Sequence, residues 1–125
     1  MQLTIVVGMQ WGDEGKGKII HYLVPKHGID IIARYQGGPN AGHTIVPDGK
    51  AMVLHSIPSG IVYEDKINII GNGCVVNLQK LNEEIEMLHS RHYSTNNLYV
   101  SHGTHIIMPY HIAMDEGLSK HQGEL

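Results

Sequence analysis

The stretch that decides the fold is GMQWGDEGKGK, residues 8–18. The apolar run LTIVV precedes it at residues 3–7, and the segment IIHYL follows it at residues 19–23. A short β-branched run, a glycine-rich loop and a helix-length segment in this order predict a strand, a phosphate-binding turn and a helix. Glycine lacks a Cβ, so its backbone N–H can approach an anion closely, and the helix start adds about half a positive charge. Lys16 and Lys18 supply two cations.

The spacing of this loop differs from that of a standard P-loop, GxxxxGK followed by Ser or Thr. Six residues separate Gly8 from Gly15, and Gly17 stands where the magnesium-binding hydroxyl belongs. The metal therefore needs another oxygen ligand, and Asp13 is the candidate. An ordinary P-loop kinase or GTPase is disfavoured by this spacing. A tight turn with an exposed acid is the remaining alternative, disfavoured because an apolar run, four glycines and two lysines coincide.

Further segments resemble one known family, the adenylosuccinate synthetases. The matching motifs occur in family order: QWGDEGKGK (10–18), RYQGGPNAGHT (34–44), HSIPSG (55–60) and IGNG (70–73). The resemblance, from about Ile5 to about Asp115, implies an α/β fold with a P-loop-like, mostly parallel sheet and flanking helices. Family chains are much longer, so it also implies that residues 1–125 are the N-terminal fragment of a larger GTP/IMP-binding domain, as a natural truncation or a gene fragment.

The resemblance further implies a reaction, the GTP-dependent ligation of IMP and L-aspartate to adenylosuccinate in de novo AMP synthesis. Asp13 would take the N1 proton of IMP, and His43 would act as the general acid. The intermediate would be 6-phosphoryl-IMP, from which the amine of L-aspartate expels phosphate. The complete enzyme would be a homodimer, whereas the 125-residue piece alone would be inactive. Residues that read guanine and bind aspartate are expected beyond Leu125.

The same resemblance assigns the binding residues. Mg²⁺ would be held by the Asp13 carboxylate and the backbone oxygen of Gly42. The residues implied to bind GTP or IMP are Gly12, Asp13, Glu14, Gly15, Lys16, Gly17, Lys18, Asn40, Ala41, Gly42, His43 and Thr44. Physical reasoning supports the pair Asp13 and His43, since an aspartate near magnesium stays ionised and a histidine beside phosphate is readily protonated.

Composition limits the class of protein. The chain has 125 residues, 42% apolar and 17% charged, as in a soluble single domain. A net charge of −3 without a basic block argues against nucleic-acid binding. The single cysteine, Cys74, excludes an internal disulfide, fits a reducing compartment and is expected in the core. No apolar run reaches the roughly 20 residues of a membrane span. These features predict a cytoplasmic protein without membrane contact.

Local patterns predict the remaining elements. Residues 30–35 predict a buried strand in parallel with others, and the loop 36–43 that follows should converge with the first loop, because ligands bind at the carboxyl edge of such sheets. The predicted elements are a helix at 15–27, a hairpin of 44–46 and 52–55, a strand at 67–70 ending at Gly71, a helix at 78–91 capped by Asn77, short strands at 98–101 and 105–108, and a helix at 110–118. The inner stripe of the second long helix is predicted as Leu78, Leu81, Ile85 and Leu88.

Some residues depart from the family or invite other hypotheses. His21 replaces a usual aspartate, Pro39 a frequent histidine or asparagine, and Thr104 a usual alanine. Trp11 is expected to pack against the phosphate loop. The ten histidines include His102-x-x-His105 and His89-x-x-His92, which are interpreted as ordinary surface histidines because no zinc-type cysteines accompany them.

Two other functions stay open. One is a truncated nucleotide-binding module without catalysis, since no Asn-Lys-x-Asp motif is present. The other is a viral-type homologue acting on dGMP in place of IMP. The best-separated group of such homologues lacks the aspartate at the position of Asp13, so its presence favours the IMP enzyme.

Overall fold

The computed structural model describes residues 3–12 and 14–122. Three helices and six strands follow one another along this part of the chain. In order they are α1 (Lys16–Lys26), β1 (Ile31–Gly37), β2 (His43–Ile45), β3 (Met52–Leu54), β4 (Ile67–Val76), α2 (Leu78–Ser90), β5 (Leu98–Val100), β6 (His105–Ile106) and α3 (Pro109–Gln122). The mixed order and the parallel sheet confirm the predicted α/β class.

β4 is the central strand of the sheet. β1 pairs with it in parallel on one side, with Ile31 opposite Ile67. β5 pairs with the first half of β4 and β6 with its second half, both in parallel. β2 and β3 form a separate antiparallel hairpin across the turn at Pro47–Gly49, as the proline and glycine there predicted.

The strand predicted at residues 67–70 was expected to end at Gly71, which is wrong, because β4 continues to Val76. The register between β1 and β4 shifts at Arg34 to Gln36, where a bulge interrupts the ladder. A Cβ on Gly73 would overlap the carbonyl oxygen of Tyr35. Glycine in this segment therefore permits close approach of two backbones, and it does not end the strand.

The core lies between the sheet, the hairpin and α2. Its buried residues are Ile45, Met52, Leu54, Ile57, Ile61, Ile70, Cys74, Val76, Leu81 and Leu88. Cys74 is in the core, as predicted. The Asn77 side chain accepts a hydrogen bond from the Lys80 N–H at 3.1 Å and caps α2. Leu78 was assigned wrongly to the inner stripe of α2, since it is 56% exposed, whereas Glu84 is buried on that face.

The predicted first strand at residues 3–7 is wrong as well. No strand of the described chain pairs with this segment, and Leu3, Ile5 and Val7 are exposed. An apolar β-branched run becomes a strand only where a neighbouring strand completes its hydrogen bonds. Among the described residues, no helix has the length and apolar character needed to cross a membrane.

Candidate functional site: two loops that meet at the start of α1

The first loop ends in a helix start suited to an anion. Gly15 is the N-cap residue of α1 and has φ 82, a left-handed conformation that favours glycine. Its carbonyl accepts the first helical hydrogen bond from the Ile19 N–H at 3.1 Å. The N–H groups of the first turn have no carbonyl partner within the helix, so they and the helix dipole point toward the loop.

A carboxylate of the same chain already engages the donors of this loop. Glu14 accepts a hydrogen bond from the Gln10 N–H at 3.1 Å and is ion-paired with Lys16. Hydrogen bonding from Lys16 and from its own backbone lowers the pKa of Glu14 to about 2. The backbone N–H and the lysine ammonium thus converge on one anionic group. This convergence fits the predicted phosphate site, and a bound phosphate would compete with Glu14 for Lys16.

The second loop is held by an arginine in the middle of β1, Ile31–Gly37. Arg34 donates from Nη2 to the Gly38 carbonyl at 2.8 Å, and Pro39 in the same loop is buried. The Arg34 carbonyl accepts from the Cys74 thiol at 3.2 Å. These contacts fix the beginning of the loop, whereas the residues from Asn40 to Gly42 are exposed. The loop therefore presents its predicted nucleotide-contacting residues on the surface.

The two loops meet where α1 begins. A Cβ added to Gly17 would lie 2.7 Å from Cβ and Cδ2 of His43, so only glycine fits there without displacement of the imidazole. On the other side of the loop, a Cβ on Gly42 would lie 2.7 Å from Val53 Cγ1 and 3.0 Å from His55 Cε1. The predicted convergence of the two glycine loops is confirmed for Gly17 and His43.

His43 is partly buried and lies close to positively charged groups. Burial, followed by the charges of Arg34 and His55, lowers the pKa of His43 to about 4. The backbone of Ile57 opposes the shift, because an acceptor beside the ring favours the protonated form. Without a bound anion, His43 is therefore neutral at pH 7. The predicted ready protonation of His43 therefore requires a bound phosphate beside the ring.

Three buried nitrogen atoms around the second loop have no hydrogen-bond partner within the described part of the chain. They are Arg34 Nη1, His43 Nε2 and His55 Nδ1. A buried polar atom without a partner is costly, so such atoms indicate a place where a ligand or water completes the bonding. Arg34 Nη1 is a charged donor, and the imidazole nitrogens become donors when the rings are protonated, so the group suits an anion.

Several predicted site residues lie on the surface of the two loops. Gly12, Glu14, Lys18, Ala41 and Thr44 are exposed near the two loops. The predicted base and magnesium ligand Asp13 lies outside the described residues. Trp11 is fully exposed, so its expected packing against the loop is wrong.

The ligands predicted for magnesium are chemically suitable. Mg²⁺ prefers oxygen donors, and the proposed donors are a carboxylate and the backbone oxygen of Gly42, which belongs to an exposed residue. Within residues 3–12 and 14–122, no three side chains of His, Cys, Asp or Glu come together as a metal-binding group.

The departures from the family pattern are accommodated in the fold. The His21 ring stacks on Tyr63 with centroids 5.4 Å apart, and the Tyr63 hydroxyl donates to the His21 carbonyl at 3.1 Å. Burial lowers the pKa of His21. Thr104 donates from its hydroxyl to the Gly71 carbonyl at 3.1 Å. Through these contacts with Tyr63, His21 ties α1 to the segment that follows β3.

Sequence reasoning missed three residues around the site. Arg34 and His55 lay inside quoted motifs but received no role, and their effect on His43 depends on the fold. Glu84 was overlooked, although a charged residue between Leu81 and Leu88 interrupts an apolar helical stripe. Its carboxylate accepts hydrogen bonds from the backbone of residues 55–57, which follow β3.

Comparisons with known proteins agree with this geometry. The family model described as adenylosuccinate synthetase matches residues 5–124. The chain is 53% identical over 123 residues to the adenylosuccinate synthetase of Caldicellulosiruptor saccharolyticus, covering 98% of this chain and 28% of that protein. It is 55% identical over 120 residues to that of Levilactobacillus brevis, covering 96% and 28%. The chain thus spans about 28% of the length of these curated relatives.

Two solved structures are also similar. The fully ligated adenylosuccinate synthetase from Plasmodium falciparum matches with a TM-score of 0.82 and 40% identity, over 94% of this chain and 27% of that one. The succinoaminodeoxyadenylate synthetase of cyanophage S-2L, bound to dGMP and dATP, matches with a TM-score of 0.68 and 28% identity, over 86% and 30%. The family match over nearly all of the residues, together with the loops that meet at α1, shows that the chain belongs to the adenylosuccinate synthetase family.

Proposed function

We propose that this chain supplies the phosphate-handling part of a GTP-dependent ligase that joins IMP and L-aspartate, releasing GDP and phosphate. The observation that carries the proposal is the contact of Gly17 with His43, which places the amino end of α1 beside the second glycine loop. Family membership supports the reaction, and the buried unpaired nitrogens beside His43 support an anionic ligand. In this proposal, residues 1–125 correspond to the N-terminal part of the family's GTP/IMP-binding domain.

The proposed chemistry begins with proton removal. Asp13 accepts the N1 proton of IMP, so that the 6-oxygen attacks the γ-phosphate of GTP. His43, once protonated beside phosphate oxygens, donates a hydrogen bond as negative charge moves onto them. The product of this step is 6-phosphoryl-IMP, and the amine of L-aspartate then displaces the phosphate.

The binding roles follow the two loops. Residues 12–18 hold GTP phosphates through backbone N–H groups, the α1 dipole and the two lysines, with Asp13 to Lys16 also facing IMP. Asn40 to His43 face IMP, and Gly42 to Thr44 face GTP. Asp13 and the Gly42 carbonyl hold Mg²⁺, which neutralises phosphate charge when bound. Before GTP binds, the pair of Glu14 with Lys16 must open.

The proposal includes the compartment and the oligomeric state of the full-length enzyme. The full-length enzyme is a cytoplasmic homodimer in purine nucleotide synthesis. Catalysis by the 125-residue chain alone is not expected, because the aspartate-binding and guanine-reading residues belong to other parts of the family sequence.

Two alternatives make different predictions. A nucleotide-binding module without turnover is favoured by the 28% coverage of the relatives and by the lack of an Asn-Lys-x-Asp motif. A dGMP-using enzyme is suggested by the similarity to the cyanophage structure. Asp13 and the higher identity to adenylosuccinate synthetases favour IMP.

The test is phosphate release from GTP and magnesium, with IMP and L-aspartate each present or omitted. It is run on the purified chain and on the full-length enzyme that carries it. Release by the full-length enzyme only with both substrates supports the proposal, and release with dGMP in place of IMP would redirect it. Nucleotide binding without release in either protein would favour the non-catalytic module.

A further inference from the structure

Glu84 is a buried carboxylate that binds backbone. The residue is 5% exposed and lies on the inward face of α2. It accepts hydrogen bonds from the N–H groups of His55 at 3.0 Å, Ser56 at 2.8 Å and Ile57 at 3.2 Å. Consecutive N–H groups that converge on one anion form a concave binding site like those that hold phosphates.

No ion pair among the described residues involves Glu84. A buried carboxylate without a cation is costly, so the three N–H groups must supply its stabilisation. Hydrogen bonds to a charged acceptor are roughly twice as strong as neutral ones. The backbone of residues 55–57 is therefore fixed to α2 more firmly than an ordinary loop would be.

The segment that Glu84 fixes also borders the proposed site. The His55 ring packs against Gly42, where an added Cβ would lie 3.0 Å from His55 Cε1 and 3.4 Å from Nδ1. The backbone of Ile57 raises the pKa of His43. Of the three residues whose N–H groups Glu84 binds, His55 thus contacts Gly42, and Ile57 affects the titration of His43.

We propose that Glu84 is a positioning residue of the nucleotide site: by holding the backbone of residues 55–57, it sets where Gly42 and His43 lie. It rests on the proposed function only in taking Gly42 and His43 as nucleotide-contacting residues. The hydrogen bonds of Glu84 within the described residues go to residues 55–57 and not to Gly42 or His43. Glu84 acts through His55 and Ile57.

A purely stabilising role of Glu84 would have a different effect on backbone amide exchange. Loss of stability alone raises backbone exchange throughout the fold, including in β4, because all amides then exchange through the unfolded state. Loss of positioning instead speeds amide exchange at residues 55–57 and shifts the NMR signals of Gly42 and His43. The β4 amides, such as that of Ile70, then keep their protection against exchange. The location of the change therefore separates the two roles.

The experiment compares Glu84→Gln with Glu83→Gln by NMR at one fixed pH. The glutamine side chain of Glu84→Gln keeps the shape of glutamate but presents an NH₂ group to backbone donors. Glu83 is the exposed neighbour, which accepts a hydrogen bond from Gln79 at 3.2 Å. In Glu84→Gln, exchange at the amides of residues 55–57 should be faster by about tenfold or more. The Gly42 amide and His43 ring signals should shift, and Glu83→Gln should leave them unchanged.

Two results would overturn the proposal. One is faster exchange at residues 55–57 with unchanged Gly42 and His43 signals. The other is equal acceleration at Ile70, which indicates a stabilising role only. If Glu84→Gln does not fold, Glu84→Asp, which keeps the charge on a shorter side chain, is judged by the same signals.

Titration of the same samples with GTP and IMP separates the two proposals. Binding that weakens about tenfold in Glu84→Gln but not in Glu83→Gln supports both. Absence of binding by the full-length enzyme that carries the unmodified chain would count against the proposed function, and the NMR signals would still decide the role of Glu84.

Discussion

Gly17 at the first turn of α1 lies directly against His43, so closely that a Cβ on Gly17 would come within 2.7 Å of the imidazole Cδ2. The first glycine loop and the loop that ends at His43 are distant in sequence, and they therefore meet at the start of α1. The position of His43 depends on the absence of a side chain on α1.

Gly17→Ala should displace His43 and weaken nucleotide binding. Overpacking of a tight contact costs about 1–3 kcal/mol, which corresponds to roughly 5- to 150-fold in affinity if it falls on the nucleotide-binding state. The measurement is titration with GTP by calorimetry. Gly117→Ala in α3 is the matched control, because a Cβ there meets nothing within 4 Å. Equal affinities for the two variants would contradict the proposed contact of His43 with nucleotide.

Asp13→Asn should leave the fold intact and nearly abolish turnover in the full-length enzyme. Removal of a general base typically lowers the rate by about 10²–10⁴-fold. The assay is phosphate release with GTP, IMP and L-aspartate, and circular dichroism checks the fold. Asp115→Asn, at an exposed position of α3, is the control. Unchanged turnover in Asp13→Asn would refute its assignment as the base.

The fold without ligand should lose stability as the pH falls from about 6.5 to about 4. His43 has a pKa of about 4 in the fold and an ordinary value of 6.5, so in this interval the unfolded chain binds a proton that the folded chain does not. Protonation of the unfolded state favours unfolding. The free energy of unfolding, measured by urea titration at pH 7 and pH 5, should therefore be lower at pH 5.

The control for this pH dependence is His43→Asn, because asparagine does not titrate. The decrease between pH 7 and pH 5 should be smaller in this variant. An identical decrease in both proteins would mean that other groups cause it, and that His43 is more hydrated than the structure indicates.

Asn77→Ala should destabilise the protein by about 1 kcal/mol, since it removes the side-chain cap of α2. For a chain of this size the melting temperature should fall by about 3–6 °C. Asn82→Ala, within the same helix, removes an exposed side-chain contact with Glu86 but introduces a better helix former. A similar decrease in both variants would show that the cap contributes nothing specific.

Local signals in the sequence were sufficient for most of the elements. The glycine-rich loop ahead of α1 and the asparagine before Leu78 indicated helix starts, and proline with glycine after Val46 indicated the hairpin turn. These signals act within a few residues, so they can be read without the fold. The convergence of the two loops followed from a general rule of parallel sheets.

Features that depend on distant partners were not predicted. Residues 3–7 resemble a strand locally, but a strand also needs a neighbour. The glycines after Ile70 suggested a break, although their reason is the close backbone of Tyr35. Glu84 binds N–H groups 27 to 29 positions away, and the low pKa of His43 comes from burial and from charges on other segments.

The central place of β4 also bears on how the chain folds during synthesis. β1, β5 and β6 each pair with β4. β1 leaves the ribosome first and remains without its partner until residues 67–76 have followed. Until then, the local elements α1 and the hairpin of β2 and β3 can form, whereas the sheet cannot begin. Non-local pairing of this kind is slow, and apolar strands that are still unpaired are prone to aggregation. The β1 segment should therefore stay unpaired, and open to aggregation, until residues 67–76 have emerged.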